Sequence, residues 1–249
     1  LNSKVQHNVL HHTYTNIHDV DEDISPRGII RMGPESKRIP LHRFQHYYAW
    51  VFYGLMTLVW GTVKDFSRLI KYQREGLVKK QRTSVYKEWV VMVTTKAIYF
   101  TYIFAIPLWV LPVSFGQVII GFLVMHYIAG FILAMIFQPA HVVEGTEYPM
   151  PDEQGNLENT WAIHQLRTTT NFGHREKLFS WYVGGLNYQV EHHLFPNICH
   201  VHYRDIAKIV EQTAKEFDLP YKSKETFFEA VVAHARQLKI LAQKPTPKM

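Results

Sequence analysis

Residues 97–143, AIYFTYIFAIPLWVLPVSFGQVIIGFLVMHYIAGFILAMIFQPAHVV, contain no Asp, Glu, Lys or Arg. A helix crosses the hydrocarbon core of a bilayer in roughly 20 residues, so a run of this length supplies two spans and a tight turn. Pro112 and Gly116 place the turn near Ser114, and Pro107 predicts a kink in the first span. A soluble domain would have to bury two consecutive uncharged helices of this length, which is rare. The expected fold class is an all-α integral membrane protein with a transmembrane helical hairpin over 97–138.

The flanks of that hairpin orient it. Thirteen Lys and Arg fall between Arg27 and Lys87, and basic side chains collect on the cytoplasmic face of membranes. Both outer ends are therefore expected on the cytoplasmic side. Residues 46–63 are apolar but short and carry Tyr47, Tyr48, Trp50, Tyr53 and Trp60, a composition suited to an interfacial helix. If they crossed the bilayer, three crossings would separate the start of the chain from its end; if they only dip in, two do, and the two ends can meet. The second arrangement is the expected one.

Within a single domain over 1–249, residues 1–45 are polar and turn-rich (Ser25-Pro26, Gly33-Pro34). Residues 139–243 form an expected cytosolic helical cap, with apolar stripes Ile206, Ile209, Val210, Phe217 and Phe227, Phe228, Val231, Val232, Leu238. The Pro-Thr-Pro tail after Lys244 reads as unstructured. A mean hydropathy of -0.13 fits a short membrane portion with a larger aqueous one. The net charge of +6 comes without any nucleic-acid motif, so no nucleic-acid partner is expected, and membrane lipids account for it better. The single Cys199 excludes an internal disulfide and a paired-thiolate metal site.

Histidines cluster twice, at His7-Asn-Val-Leu-His11-His12 and at Gln189-Val-Glu191-His192-His193. On an α-helix His7 and His11 share a face, while His12 points about 100° away and could reach a second metal. Gln189, His192 and His193 also share a face. Neutral imidazoles without thiolates suit iron, copper or zinc rather than magnesium or calcium. His141, just past the second span, is a further ligand candidate. Glu191, Glu144 and His164 are candidates for ligation or for orienting the ligand rings, and His174, His200 and His202 are structural or orienting candidates. The run Asp19-Val-Asp21-Glu22-Asp23 reads as a solvated acidic loop or as a source of acceptors for those rings. His126 reads as a neutral side chain bonded to a neighbouring helix, and His42 and His46 as surface residues. His18 and His234 carry no signal.

Gln6-His-Asn-Val-Leu-His-His-Thr-Tyr-Thr-Asn16 resembles the second histidine box of the membrane-bound fatty acid desaturases. Gly184-Gly-Leu-Asn-Tyr-Gln-Val-Glu-His-His-Leu-Phe-Pro196 resembles the third, and the similarity extends over essentially the whole chain. Gln189, where many members have His, resembles the front-end acyl desaturases, which insert a double bond between an existing one and the carboxyl end. The resemblance implies a non-haem di-iron centre held by His7, His11, His12, His192 and His193. Gln189 would stand where other members have a ligand, and His141 matches the extra histidine after the last span. It also implies O2 as co-substrate, two electrons from a cytochrome b5 or ferredoxin, and a fatty acyl lipid or acyl-CoA as substrate. The plain architecture points to a bacterial inner membrane ahead of the endoplasmic reticulum.

The family's first box does not occur before the second. His42-Arg-Phe-Gln-His46 has similar spacing but lies on the other side of it. With Leu1 as its first residue, the chain is expected to be a fragment lacking the first spans. The alternatives are a lipid hydroxylase on the same scaffold, a zinc-dependent hydrolase, or a catalytically incomplete remnant.

Overall fold

The computed structural model describes residues 1–24 and 28–243. The Ser25-Pro26 turn and the Pro-Thr-Pro tail lie outside the described residues. The chain is mostly helical and forms two compact units, one from Leu1–Val5 with Trp50–Ala134, the other from Gln6–Ala49 with the chain from Met135 onward. The all-helical expectation needs one correction. Asn171–Phe172 and Ser223–Lys224 pair as a two-residue parallel ladder, because Asn171 N and Gly173 N find their acceptors on Lys222 and Lys224.

In the first unit, two helical stretches, Val85–Val110 and Phe115–His141, are long and apolar enough to cross a membrane. The first begins at Val85 rather than at the expected Ala97, and thus carries Lys96. That cation is tolerated because it meets Asp65 at 2.6 Å and donates to the Gly61 carbonyl at 2.8 Å. Just before Pro107 the helix widens into a π turn, Thr101–Ala105, which absorbs the missing N–H and the ring's clash with the preceding turn. The reversal falls where Pro112 and Gly116 put it. Ser114 accepts from Gln117 N (3.3 Å) while its own N–H donates to Gln117 Oε1 (2.8 Å). Phe104 then packs at a tilt against Phe122, ring centres 5.0 Å apart, and Tyr99 Oη lies 2.7 Å from His126 Nε2.

Residues 50–74 take a shape that their composition did not reveal. Helix Gln45–Gly54 bends at Leu55, continues as Met56–Val59, opens into a π turn at Trp60–Lys64 and goes on as Asp65–Arg74. Its first limb lies against Phe115–His141. A methyl on Gly130 would come within 2.6 Å of the Gly54 carbonyl, and Thr57 donates to His126 O at 2.7 Å. Small residues permit this close approach of two backbones. The second limb runs back along the other span, with Phe66 beside Trp89 and Trp89 Nε1 directed at Gln73 Oε1. The segment therefore descends to the level of His126 and returns.

The second unit packs helices Trp161–Thr168, Gln189–Leu194 and Tyr203–Glu216 around Leu166, Val190 and Val210. Both C-terminal helices form where expected, but their inward faces differ from the expected stripes. Tyr203, Ala207, Val210 and Ala214 are buried, whereas Ile209 and Phe217 are exposed. In Phe227–Leu241, entered through a Thr226/Glu229 capping box, the buried positions are Ala230, Ala233, His234, Gln237, Leu238 and Leu241, and Phe228 is exposed. Small residues let these helices approach closely, so the large apolar side chains do not mark the contact face.

His234, without signal in the sequence, is fully buried and donates from Nδ1 to the Val142 carbonyl at 2.6 Å. Burial pushes its pKa down to about 4 from the ordinary 6.5. Between those values the unfolded chain binds the extra proton, so this contribution is complete above pH 6.5 and lost as pH falls toward 4. The loss is on the order of 3 kcal/mol. Unfolding measured from pH 7 to 4 should therefore fall less steeply in His234→Gln than in the native chain. Equal slopes would contradict the assignment.

Candidate metal centre

The first histidine cluster is wound as a π-helix, Lys4–His11, followed by a short α turn, His12–Tyr14. In a π-helix residues five apart come together. His7 and His11 lie together as expected, their rings stacked with centres 5.4 Å apart, and with Asp23 they make one possible ligand group. His7 and His12 come together as well, their Nε2 atoms 3.2 Å apart, and His192 joins them with Nε2 3.3 Å from that of His7. His11 also meets His141 and His193. Within each group the candidate ligand atoms lie within 4.8 Å of one another. Helix Gln189–Leu194 thus splits its adjacent imidazoles, His192 to one group and His193 to the other. The groups are neighbours, since His12 and His193 stack with ring centres 4.3 Å apart.

Hydrogen bonds fix which nitrogen each ring of the inner group turns inward. His11 Nδ1 lies 3.0 Å from Asp21 Oδ2, and a carboxylate only accepts, so this nitrogen carries the proton. His141 Nδ1 faces the Thr168 carbonyl at 3.4 Å, and His193 Nδ1 faces Gln165 Oε1 at 2.8 Å. The Nε2 atoms of His141 and His193 are buried and without a hydrogen-bond partner among the described residues. Leaving such atoms orphaned costs ~1–3 kcal/mol each. Converging Nε2 lone pairs are what a cation requires. In the outer group, separations of 3.2–3.3 Å match the ~3.3 Å edge of a tetrahedral site with bonds near 2.0 Å. The donor set therefore fits a transition metal in both groups.

Electrostatics favour ligation at four rings. Burial, with crowding by the other imidazoles, lowers the pKa of His7 and His193, and brings His12 to about 2 and His192 to about 4. These rings stay neutral, as metal ligation demands. His11 differs: burial opposes its charge, but the Asp21 carboxylate outweighs burial and lifts it to about 9, so this ring must give up its Nε2 proton before it can hold a cation.

Asp21 is fully buried and accepts from Asn16 N (2.8 Å) and Asp23 N (2.9 Å), so this part of the acidic run orients a ring and is not a solvated loop. Asn16, at φ 60° in the left-handed region, donates from Nδ2 to His141 O (2.9 Å) and Glu147 O (3.1 Å), which ties the first cluster to the end of the second apolar helix. Trp161 Nε1 donates to His12 O at 2.9 Å. Asn16, Gln165 and Trp161 gave no chemical signal in the sequence, since an amide or indole reveals nothing until its neighbours are known.

The remaining candidates sit elsewhere. Gln189 donates to Leu186 O. Glu191 is buried and accepts from Asn171 Nδ2 (2.7 Å) and Tyr221 Oη (2.9 Å), while Asn171 Oδ1 also accepts from Val190 N. This network anchors the helix carrying His192 and His193 and does not touch their rings. Burial raises the Glu191 pKa. Glu144 is half-buried, His164 is buried with an unpartnered Nε2, and neither belongs to a histidine group among the described residues. His42 is buried rather than on the surface, with Nε2 on Gly28 O at 2.8 Å. His174 meets Ser223 Oγ at 3.1 Å, and His200 and His202 are exposed.

A family model described as fatty acid desaturase matches residues 3–225. The chain is 37% identical over 243 residues to the sn-1 linoleoyl-lipid 6-desaturase of Synechocystis sp., covering 96% of this chain and 66% of the relative. It is 35% identical over 249 residues to the protein of the same name from Arthrospira platensis, covering 98% and 66%. With the acyl-lipid (8-3)-desaturase of Mortierella alpina it shares 34% identity over 242 residues, 96% of this chain and 53% of that one. The chain thus spans about half to two thirds of the length of these relatives. No solved structure matches.

Replacing Asn16 by Ala removes the Nδ2 hydrogen bonds to the carbonyls of His141, Glu147 and Thr168 while keeping a side chain at positive φ. The expected loss is on the order of 3 kcal/mol. Thermal unfolding of Asn16→Ala should show a midpoint several degrees lower, and an unchanged midpoint would contradict the bracing role.

Proposed function

The chain belongs to the fatty acid desaturase family, and on that footing we propose that it carries out front-end desaturation of a fatty acyl chain. One observation carries this reading: two adjacent groups of three imidazoles, one buried and one half-buried, with candidate ligand atoms within 4.8 Å of one another in each. His7, His12 and His192 would hold one iron, and His11, His141 and His193 the other. Bound iron supplies the redox chemistry that O2 and an unactivated methylene pair require, which zinc cannot. Overall, two hydrogens leave adjacent carbons, and O2 is reduced to two waters with two further electrons and two protons. A cytochrome b5 or ferredoxin would deliver the electrons. The substrate is a fatty acyl lipid or acyl-CoA, in keeping with relatives named as acyl-lipid desaturases.

The protein's own residues prepare this chemistry. Burial of His11, His12, His141 and His193 keeps bulk water from the reacting position. Asp21, Thr168 and Gln165 hold the inner rings with Nε2 inward. Glu191, Asn171 and Tyr221 fix the helix presenting the last two ligands.

We place the centre on the cytoplasmic side of the membrane, a bacterial inner membrane ahead of the endoplasmic reticulum. Val85–Val110 and Phe115–His141 would form the transmembrane hairpin, with residues 46–63 not crossing. The course of residues 50–74 supports this topology, because its first limb starts beside Gly130, toward His141, and its second ends beside Trp89, toward Val85.

His192→Ala and His193→Ala should each lower bound iron and abolish the new double bond, read by metal analysis and by mass spectrometry of acyl products in a host of defined fatty-acid content. Unchanged iron and product in both variants would remove the assignment. A gain of one oxygen would mark a hydroxylase, and iron without product an incomplete catalyst. In a Cys199→Ser background, single cysteines replacing the exposed Asn8 and Asn197 should react from the same side of sealed vesicles. Reaction from opposite sides would overturn the topology.

A further inference from the structure

We propose that Gln165 is a positioning residue that locks the tautomer of His193, so that its Nε2 faces the cation site with a free lone pair. This rests on reading the histidine groups as a metal centre. Gln165 is fully buried on helix Trp161–Thr168 and reaches between the first and third histidine-bearing segments. Its Oε1 lies 2.8 Å from His193 Nδ1 and 2.9 Å from Thr15 Oγ1. Its amide nitrogen has no hydrogen-bond partner among the described residues. A buried NH2 left in this way is a penalty that a protein normally avoids.

The opposite amide orientation would satisfy the NH2. Thr15 has one hydroxyl proton and a second acceptor for it, the His11 carbonyl at 2.7 Å. With that proton given to His11 O, the Thr15 oxygen could accept from a turned Gln165 NH2. The same NH2 would donate to His193 Nδ1. But an accepting Nδ1 requires the ring proton on Nε2, directed at His11 and His141, where it excludes a cation. The orientation with Oε1 on His193 leaves one amide nitrogen unsatisfied and keeps His193 a ligand. Thr15 Oγ1, 3.3 Å from His193 Nδ1, is too distant to replace it fully.

A packing role and a tautomer lock make different predictions. Glu at 165 only accepts and has no NH2 to turn; Leu and Met fill similar volume but accept nothing. The full chain, freed of metal and held in lipid nanodiscs, would be titrated anaerobically with Co(II) against a chelator, with ligand-field absorption as readout. The native chain should bind two ions. Gln165→Leu and Gln165→Met should each weaken one ion by about 10–100-fold. The second ion, held by His7, His12 and His192, should be unaffected and reports that the variant is folded. Gln165→Glu should bind both ions at least as tightly as the native chain. Native affinity in the Leu and Met variants overturns the lock, as does equal weakening in Glu and Leu. No Co(II) bound by the native chain sinks the metal centre itself, and this proposal with it.

Discussion

Six imidazoles gathered in a protein interior repel one another when charged and leave orphaned polar atoms when neutral. Most of the second unit's local architecture answers to that constraint. Each inner ring has its Nδ1 tied to an acceptor (Asp21, Thr168 or Gln165), and the remaining nitrogens are directed toward common points. These acceptors are themselves braced. Asp21 is held by backbone donors from Asn16 and Asp23, and Asn16 by carbonyls at His141 and Glu147. Such a shell stabilises the fold only modestly without a cation, because several buried nitrogens stay unsatisfied. The same feature makes the groups strong ligands.

The π-helix at Lys4–His11 widens what the first cluster can reach. An α-helical turn would set His7 beside His11 and strand His12. The wider turn keeps His7 stacked on His11 and also brings His12 to His7, while His11 Nδ1 meets Asp21. One change of helical pitch therefore lets a single cluster contribute to two groups of imidazoles. The first unit uses the same device at Trp60–Lys64, inside the helical run that follows the bend at Leu55, and at Thr101–Ala105, where it accommodates Pro107.

Much of the fold was legible in the sequence. The uncharged run located two apolar helices and the reversal near Ser114, while the extension of the first helix back to Val85, through Lys96 and its Asp65 partner, came only from the structure. The C-terminal helices were legible in extent but not in orientation, because buried alanines carry less hydrophobic signal than the exposed Ile209, Phe217 and Phe228. His234 and His42 were invisible, as a histidine bonded to a backbone carbonyl leaves no pattern.

By itself, then, the sequence determined the family, the two apolar helices and the inventory of clustered histidines. Charge exclusion over some fifty residues and imidazoles at close spacing are local properties, set by composition and by solvation in lipid or water. Only the tertiary structure decided which histidines share a site, which nitrogen each presents, and which carboxylate or amide holds it there. Those outcomes depend on helical pitch and on hydrogen bonds between residues far apart in the chain, such as Gln165 with Thr15 and His193, and no local pattern encodes them.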